Sequence, residues 1–245
     1  MNKTIEELYN RKSVRVFSDE SITQEEKEII MNAALQAPTG GNMCLYSMID
    51  VQSQALKDIL ADRCDHQPMI SKAPFVLMFN IDYQKWYDMF KEYCDDEPIM
   101  GEGDLLLAAS DCAIAAQNAV VAAQSMGIGS CYIGDIVENF ELNRETFNLP
   151  EYVVPFVMVI FGRPTQSQMD RKKPQRFALE DMVSVDTYHR KSLEETKQMF
   201  IKQTGRKEED LGRYIKAFGK RKFYTEFRYE MNRSCREIIK VFKEK

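Results

Sequence analysis

The sequence has few metal-ligating side chains, and they are not clustered. Its 245 residues include six cysteines and two histidines, with no CxxC pair. Structural zinc and iron–sulfur sites need closely spaced ligands, so the sequence predicts no metal site. Scattered cysteines instead indicate reduced thiols that pack as small hydrophobic side chains.

Signals for export and membrane insertion are also lacking. Residues 1–10 carry Lys3, Glu6 and Glu7 and no apolar run, so they do not resemble a secretory signal peptide. The most apolar stretch, residues 105–126, is interrupted by polar residues such as Asp111. A spanning helix needs about 20 mostly apolar residues. We therefore expect a cytoplasmic protein that does not insert into a membrane.

Charge is distributed unevenly along the chain. The net charge is -5, yet residues 190–245 contain 17 basic and 9 acidic residues. A basic tail can indicate a nucleic-acid partner. The alternative is that it complements an acidic body, its own or that of a partner subunit. We favour this alternative because Phe223, Phe227 and Phe242 fall on an apolar helical stripe and are not expected to stack on bases. No nucleic-acid partner is predicted.

Capping and strand signals outline the first part of the chain. Thr23 and Glu26 form a capping box, which predicts a helix from about Gln24 that ends by Ala37. Short apolar runs predict strands. These runs cover residues 45–51, 75–81 and 153–161.

Residues 104–126 contain eight alanines and predict a buried central helix. Such a helix is apolar nearly all round, and a dimer contact is one way to cover all its faces.

Composition changes after about residue 188. The length and the 44% hydrophobic content fit a single core with or without an appendage, since single domains run to roughly 250 residues. The later part shows charged helical patterns broken at Gly205 and Gly219, followed by a last helix whose apolar stripe runs from Phe223 to Phe242. We therefore predict two domains, residues 1–188 and a helical C-terminal extension, residues 189–245.

The first motif with a chemical meaning is the basic segment at residues 11–15. In an extended chain, Arg11, Ser13 and Arg15 project to one side. Arginine forks and a hydroxyl suit a phosphate, and Lys12 adds charge. A solvated basic face is the alternative interpretation of this segment alone.

Two glycine-containing segments follow. The turn formed by Pro38, Thr39, Gly40 and Asn42 offers polar groups where backbone can approach a ligand, or it is only a helix stop and a loop. Residues 127–134 partly mimic a dinucleotide-binding fingerprint. Tyr132 replaces the third glycine and the run follows a helix, so a Rossmann turn is not predicted.

These three segments occur in this order, with the alanine-rich helix before the third and Gly162-Arg163-Pro164 after a strand. The combination resembles the nitroreductase family of flavoproteins, in particular members with a helical C-terminal extension. The resemblance covers about residues 4–183. It implies an α+β fold in which helices flank a mixed, mostly antiparallel sheet, and a homodimer with two FMN molecules at the subunit interface.

The resemblance also implies roles for individual residues. The cofactor-binding residues would be Arg11, Lys12, Ser13 and Arg15 around the phosphate; Pro38, Thr39, Gly40 and Asn42 from the partner subunit; Gln67 at the pyrimidine; Tyr132, Ile133 and Gly134 along the ring; and Lys173 or Arg176 at the phosphate. The family's late basic element is altered here to Lys173-Pro174-Gln175-Arg176, which leaves open which of the two residues makes that contact. The segment at residues 44–46 also departs from the family pattern.

The implied activity is hydride transfer from NAD(P)H through FMN to a nitroaromatic, quinone or similar acceptor by a ping-pong mechanism, with no catalytic acid or base. A flavin reductase, a reductive dehalogenase and an enoyl-type reductase are alternatives on the same fold. A non-catalytic flavin-binding protein or a nucleic-acid-binding protein is the alternative of another class. Residues 83–103 are either a substrate lid or an ordinary packing helix. We expect the tail to pack across the dimer and its cations to favour NADPH.

Overall fold

A computed structural model describes residues 1–243. Its centre is a four-stranded sheet in the order β1-β2-β4-β3, and all neighbouring strands are antiparallel. The strands are β1 (Tyr46–Asp50), β2 (Phe75–Asp82), β3 (Gly129–Ile133) and β4 (Val153–Gly162). Three of them confirm the predicted strands. The remaining strand, β3, was not predicted, because Gly129 and its short length hide the alternating pattern.

The described residues form twelve α-helices. They are α1 (Lys3–Asn10), α2 (Gln24–Leu35), α3 (Gln54–Arg63), α4 (Pro68–Ser71), α5 (Gln84–Tyr93), α6 (Glu102–Ser125), α7 (Phe140–Thr146), α8 (Gln166–Asp170), α9 (Leu179–Met182), α10 (Leu193–Thr204), α11 (Glu208–Phe223) and α12 (Glu226–Val241). Short 3-10 turns cover residues 40–42 and 134–137. Helix α2 begins at the predicted capping box of Thr23 and Glu26. The α+β fold expected from the sequence is confirmed.

Two hydrophobic clusters lie on opposite faces of the sheet. One contains Phe75, Phe79 and Phe161 with residues of α2 and α6. The other contains Leu60 and Ile70 from α3 and α4, packed with alternate residues of the strands. Because both faces are covered, β2 is apolar along most of its length, which is why its sequence shows an unbroken apolar run rather than alternation.

Helix α6 is the central helix of the first cluster. It is long and apolar enough to meet a length and composition test for crossing a membrane. Eight of its residues are nevertheless buried in the protein, among them Ala115, Ala116 and Ala119. These small side chains let α2 approach closely, and the Asn118 amide donates to the Ala33 carbonyl at 3.2 Å. The helix is therefore a core helix, as predicted from its alanines.

The N-terminal basic segment is attached to the edge strand of the sheet. Ser13 bridges to Ser130 on β3 in parallel orientation, and the Val14 amide donates to the Ser130 carbonyl at 2.9 Å. A Cβ atom at Gly129 would lie 2.6 Å from Val14 Cγ2, so glycine is needed for this approach. The glycines of the third motif thus bring the first motif against it.

Contacts divide the chain into two compact units. The first combines residues 1–171 with the chain from Tyr229 onward, and the second is residues 172–228. Ile238 and Phe242 are buried in the hydrophobic core of the first unit. This division differs from the predicted boundary between residues 188 and 189. That the two predicted parts are separate domains stays a prediction.

Two details of the predicted extension need correction. The break predicted at Gly205 is confirmed, because α10 ends just before this glycine, whose backbone is left-handed. The break predicted at Gly219 and the place of Phe223 are wrong. Gly219 lies inside α11 and does not break it, because a helical glycine costs only about 1 kcal/mol. Phe223 is the last residue of α11, so it is not on the last helix, and its side chain is half exposed.

Candidate functional site

Arg11 and Tyr132 lie side by side. The Arg11 guanidinium carbon is 5.8 Å from the centre of the Tyr132 ring. Arg11 caps the C-terminus of α1, and the Tyr132 hydroxyl donates to Gln117 Oε1 on α6 at 3.1 Å. Burial raises the pKa of Tyr132 to about 12, although Arg11 acts in the opposite direction, so the phenol is neutral at physiological pH. The structure therefore brings the first and third motifs together.

The cations of the basic segment, and Arg171 beside it, lack acidic partners among the described residues. No described carboxylate forms an ion pair with Arg11, Lys12, Arg15 or Arg171. Within residues 1–243, Arg11 Nε is buried and has no hydrogen-bond partner. A buried unsatisfied donor is costly, and a bound anion with several oxygens would satisfy it. These residues therefore fit a phosphate group.

Lys12 differs from its neighbours, because its ammonium is already used. It donates to the backbone carbonyls of Met169 and Arg171. The Arg15 amide also donates to Gln168 Oε1, at 3.2 Å. These bonds attach the segment after β4 to the basic segment, so the structure favours a positioning role for Lys12.

The turn after α2 is held by a buried carboxylate that the sequence analysis did not identify. Asp111, on α6, is 3% exposed. It accepts hydrogen bonds from the Thr39 hydroxyl, from the Gly40 amide at 3.1 Å and from the Leu45 amide at 3.3 Å. A lone acidic residue in an alanine-rich helix was the signal that could have revealed it.

The same turn contains an unusual run of left-handed backbone. Gly41, Asn42 and Cys44 have φ values of 57°, 60° and 48°. Such conformations are unfavourable for residues other than glycine and persist only when surrounding contacts fix them. Here the Thr39 hydroxyl accepts from the Cys44 amide at 2.8 Å and donates to Asp111 of α6. The exposed Asn42 side chain is left as a polar group for a ligand.

Helix α5 is attached to this turn. The Trp86 indole donates to the Met43 carbonyl at 2.7 Å, and the Lys85 ammonium donates to the Tyr46 carbonyl at 3.1 Å. Trp86 and Tyr87 pack on the core. These contacts favour the packing-helix interpretation of the first part of residues 83–103.

Gln67 lies against the third motif. Its Nε2 donates to Asp135 Oδ2 and to the Cys64 carbonyl, both at 2.8 Å, so Oε1 is the atom left for a ligand. The Ile133 side chain is buried, and only its backbone can face a ligand. Gly134 is exposed, with open space where a Cβ atom would be. A flat ring can therefore approach the backbone here.

A buried carboxyl group lies beyond this segment. Glu138 is 4% exposed. Burial raises its pKa to about 8, and the neighbouring Asp135, Asp65 and Glu230 contribute in the same direction. Arg233 donates hydrogen bonds to the Glu230 carboxylate, and this is the main reason that the pKa of Glu230 is lowered to about 2. Glu138 therefore keeps its proton at neutral pH.

Helix α6 connects the parts of the site. It carries Asp111, which holds the turn, and Gln117, which holds Tyr132. The two are about 9 Å apart along the helix axis at 1.5 Å per residue. Lys173 and Arg176 belong to the second unit, so their predicted roles stay predictions.

Comparison with known proteins agrees with this geometry. Residues 8–163 match the Nitroreductase family. The chain is 30% identical over 177 residues to an FMN reductase (NADPH) from Bacillus subtilis (strain 168), covering 71% of this chain and 70% of the relative. It is 31% identical over 167 residues to an oxygen-insensitive NADPH nitroreductase from Salmonella typhimurium, covering 68% of each.

A solved structure extends the likeness to nearly the whole chain. The NfrA1 nitroreductase from B. subtilis superimposes with a TM-score of 0.77 at 26% identity, covering 95% of this chain and 98% of that one. Since the family match spans more than half of the residues, the chain belongs to the nitroreductase family of NAD(P)H-dependent oxidoreductases.

Proposed function

We propose that the chain binds FMN and uses it to pass electrons from NAD(P)H to a nitroaromatic, quinone or similar small acceptor. The observation that carries this proposal is the buried Arg11 Nε, which has no hydrogen-bond partner among the described residues and belongs to a guanidinium beside Tyr132. A flavin phosphate supplies the missing oxygens. The open backbone at Gly134 is where the attached ring would lie.

Each part of the site has a distinct task in this proposal. Arg11, Ser13 and Arg15 hold the phosphate, and the backbone of residues 132–134 supports the ring. Gln67 Oε1 accepts a hydrogen bond from the pyrimidine edge, because its Nε2 is already used. Bound FMN would supply the redox chemistry, so no side chain is assigned as a catalytic acid or base.

A homodimer completes the site. Helix α6 exposes Leu106, Leu107 and Ile114 on one side, and Leu106 is 70% exposed. Apolar side chains at helical spacing need a covering surface. We propose that a second copy of the chain covers them and that Pro38, Thr39, Gly40 and Asn42 reach the partner's flavin. The Thr39 hydroxyl and the Gly40 amide would act through the shape of the turn.

The acceptor and the nicotinamide are further parts of the proposal. The relatives described above are named for NADPH, for FMN reduction and for nitroreduction. We propose NADPH as the donor. The role of the tail cations in binding its additional phosphate stays a prediction. The expectation that the apolar stripe packs across the dimer is wrong for Ile238 and Phe242, which are buried in the core of their own chain. A flavin reductase is the nearest alternative, and it would release reduced FMN rather than reduce a second bound acceptor. A cytoplasmic location fits this chemistry.

The nucleic-acid alternative receives little support from the second unit. Phe223 is half exposed, so its predicted place on a buried stripe is wrong. Its ring is covered by a cation of the chain, since the Arg228 guanidinium lies 4.4 Å from the ring centre. The Lys222 ammonium lies 5.7 Å from the centre of the Phe227 ring in the same way. Bases would have to displace these cations in order to stack.

Anaerobic reduction tests the proposal. Protein reconstituted with FMN and freed of excess flavin by gel filtration should carry a visible flavin band that bleaches when NADPH is added. A nitroaromatic or quinone should restore the band, and initial rates should give parallel double-reciprocal lines, as a ping-pong mechanism requires. Flavin that elutes apart from the protein, or a bound band that neither NADPH nor NADH bleaches, would refute the proposal.

A further inference from the structure

We propose that Arg171 is a phosphate-binding residue of this site, in place of the late basic contact expected from Lys173 or Arg176. This inference rests on the proposed function, because it assumes that the basic segment binds FMN. It starts from a contact that the sequence did not predict. One Nη atom of Arg171 donates to the backbone carbonyl of Ser13, in the middle of the basic segment.

The position of Arg171 is fixed from two directions. Its side chain is attached to Ser13, and its own carbonyl accepts a hydrogen bond from Lys12 Nζ. The Gln168 side chain accepts from the Arg15 amide, three residues before Arg171. The segment after β4 is thus joined to the basic segment at residues 12, 13 and 15. A guanidinium held in this way loses less conformational freedom when it binds a ligand.

The remaining donors of Arg171 are suited to an anion. A guanidinium has five N–H donors, and the bond to Ser13 uses one of them. No described carboxylate forms an ion pair with Arg171; Asp170, its sequence neighbour, accepts from Gln166 at 2.8 Å. The side chain is exposed, so a ligand can reach it. Arginine forks bind phosphate oxygens in pairs.

The charges of the cluster support the same assignment. Arg11, Lys12 and Arg15 belong to the basic segment, and Arg171 donates to Ser13 in its middle. Like charges gathered without counter-ions repel one another, and a phosphate with close to two negative charges would relieve this. The Lys12 ammonium donates to the carbonyls of Met169 and Arg171, so Lys12 positions Arg171. Arg171 itself contacts the phosphate.

The experiment compares two flavins that differ only in the phosphate. The apoprotein is titrated with FMN and with riboflavin while flavin fluorescence is followed, for the wild type and for the variants Arg171→Ala, Arg171→Lys and Arg176→Ala. Arg236→Ala is the matched control, because Arg236 is an exposed arginine on α12. Thermal unfolding midpoints of all the apoproteins report whether a variant is folded.

We expect Arg171→Ala to weaken FMN binding by about tenfold or more, the loss typical of one charge-assisted hydrogen bond. Riboflavin binding should change by less than about twofold, and Arg171→Lys should recover part of the FMN affinity. Arg176→Ala and Arg236→Ala should leave both affinities unchanged. Unchanged FMN affinity in Arg171→Ala, equal weakening of both flavins, or a selective loss in Arg176→Ala would overturn the assignment. Failure of the wild type to bind either flavin would instead overturn the proposed function.

Discussion

The buried carboxyl group of Glu138 should make the stability of this protein depend on pH in an unusual direction. Its pKa in the folded protein is raised from 4.5 to about 8. Between pH 4.5 and about 8 the folded state therefore keeps a proton on Glu138 that the unfolded chain has released. The stability from this group is fully present below about pH 4.5 and is lost as the pH rises towards 8.

The substitution Glu138→Gln removes this dependence, because the amide has nearly the same shape and does not ionise. The difference in unfolding free energy between the variant and the wild type should grow in favour of the variant by about 1.4 kcal/mol per pH unit. From about pH 5 to about pH 8 the total is about 4 kcal/mol. Urea unfolding of the apoproteins at one protein concentration measures it.

A matched control is the exposed Glu145 on α7. Glu145→Gln removes a solvent-exposed carboxylate of the same chemical type, so it controls for the loss of one negative charge at the surface. If the difference between Glu138→Gln and the wild type does not change with pH, Glu138 is ionised in the folded protein and the reasoning from its burial is wrong.

Three further substitutions test the contacts that build the site. Asp111→Asn replaces one acceptor oxygen with an NH2 donor that faces other donors, so it should lower the unfolding free energy by about 1–3 kcal/mol and weaken FMN binding; an unchanged urea midpoint would contradict the role of Asp111. Gly129→Ala brings a Cβ atom within 2.6 Å of Val14 Cγ2, so it should cost about 1–3 kcal/mol in thermal unfolding and loosen the basic segment. Ile114→Glu places a charge on the exposed side of α6, so sedimentation should show monomers that retain little flavin, whereas persistent dimers would place the interface elsewhere.

The sequence predicted those parts of the fold whose signals are local. The capping box of Thr23 and Glu26, the alanines of α6 and the β-branched run of β4 each determine structure within a few residues. Strand β3 was missed because its identity depends on partners: Gly129 and Ser130 are selected by the approach of Val14 and Ser13. Gly219 was overestimated as a helix breaker, because the neighbouring turns of α11 outweigh one glycine.

The sequence predicted that the first and third motifs meet, but it did not predict the contacts that hold them. The order of the three motifs was enough to suggest that Arg11 and Tyr132 lie together. The sequence could not show that Lys12 and Thr39 donate hydrogen bonds to other residues of the protein, since those bonds join residues far apart in the chain. For the same reason Asp111 and Arg171 were overlooked: their partners lie 71 and 158 residues away.

We propose that the basic segment and the residues after α6 form one flavin site, and a crystal structure of the protein grown with FMN would test this. We predict that the phosphate lies within hydrogen-bond distance of Arg11 Nε and the Ser13 hydroxyl, with the ring along residues 132–134 and Asn42 of a second copy facing the same flavin. A flavin bound elsewhere, with Arg11 Nε still without a hydrogen-bond partner, would rule out this site.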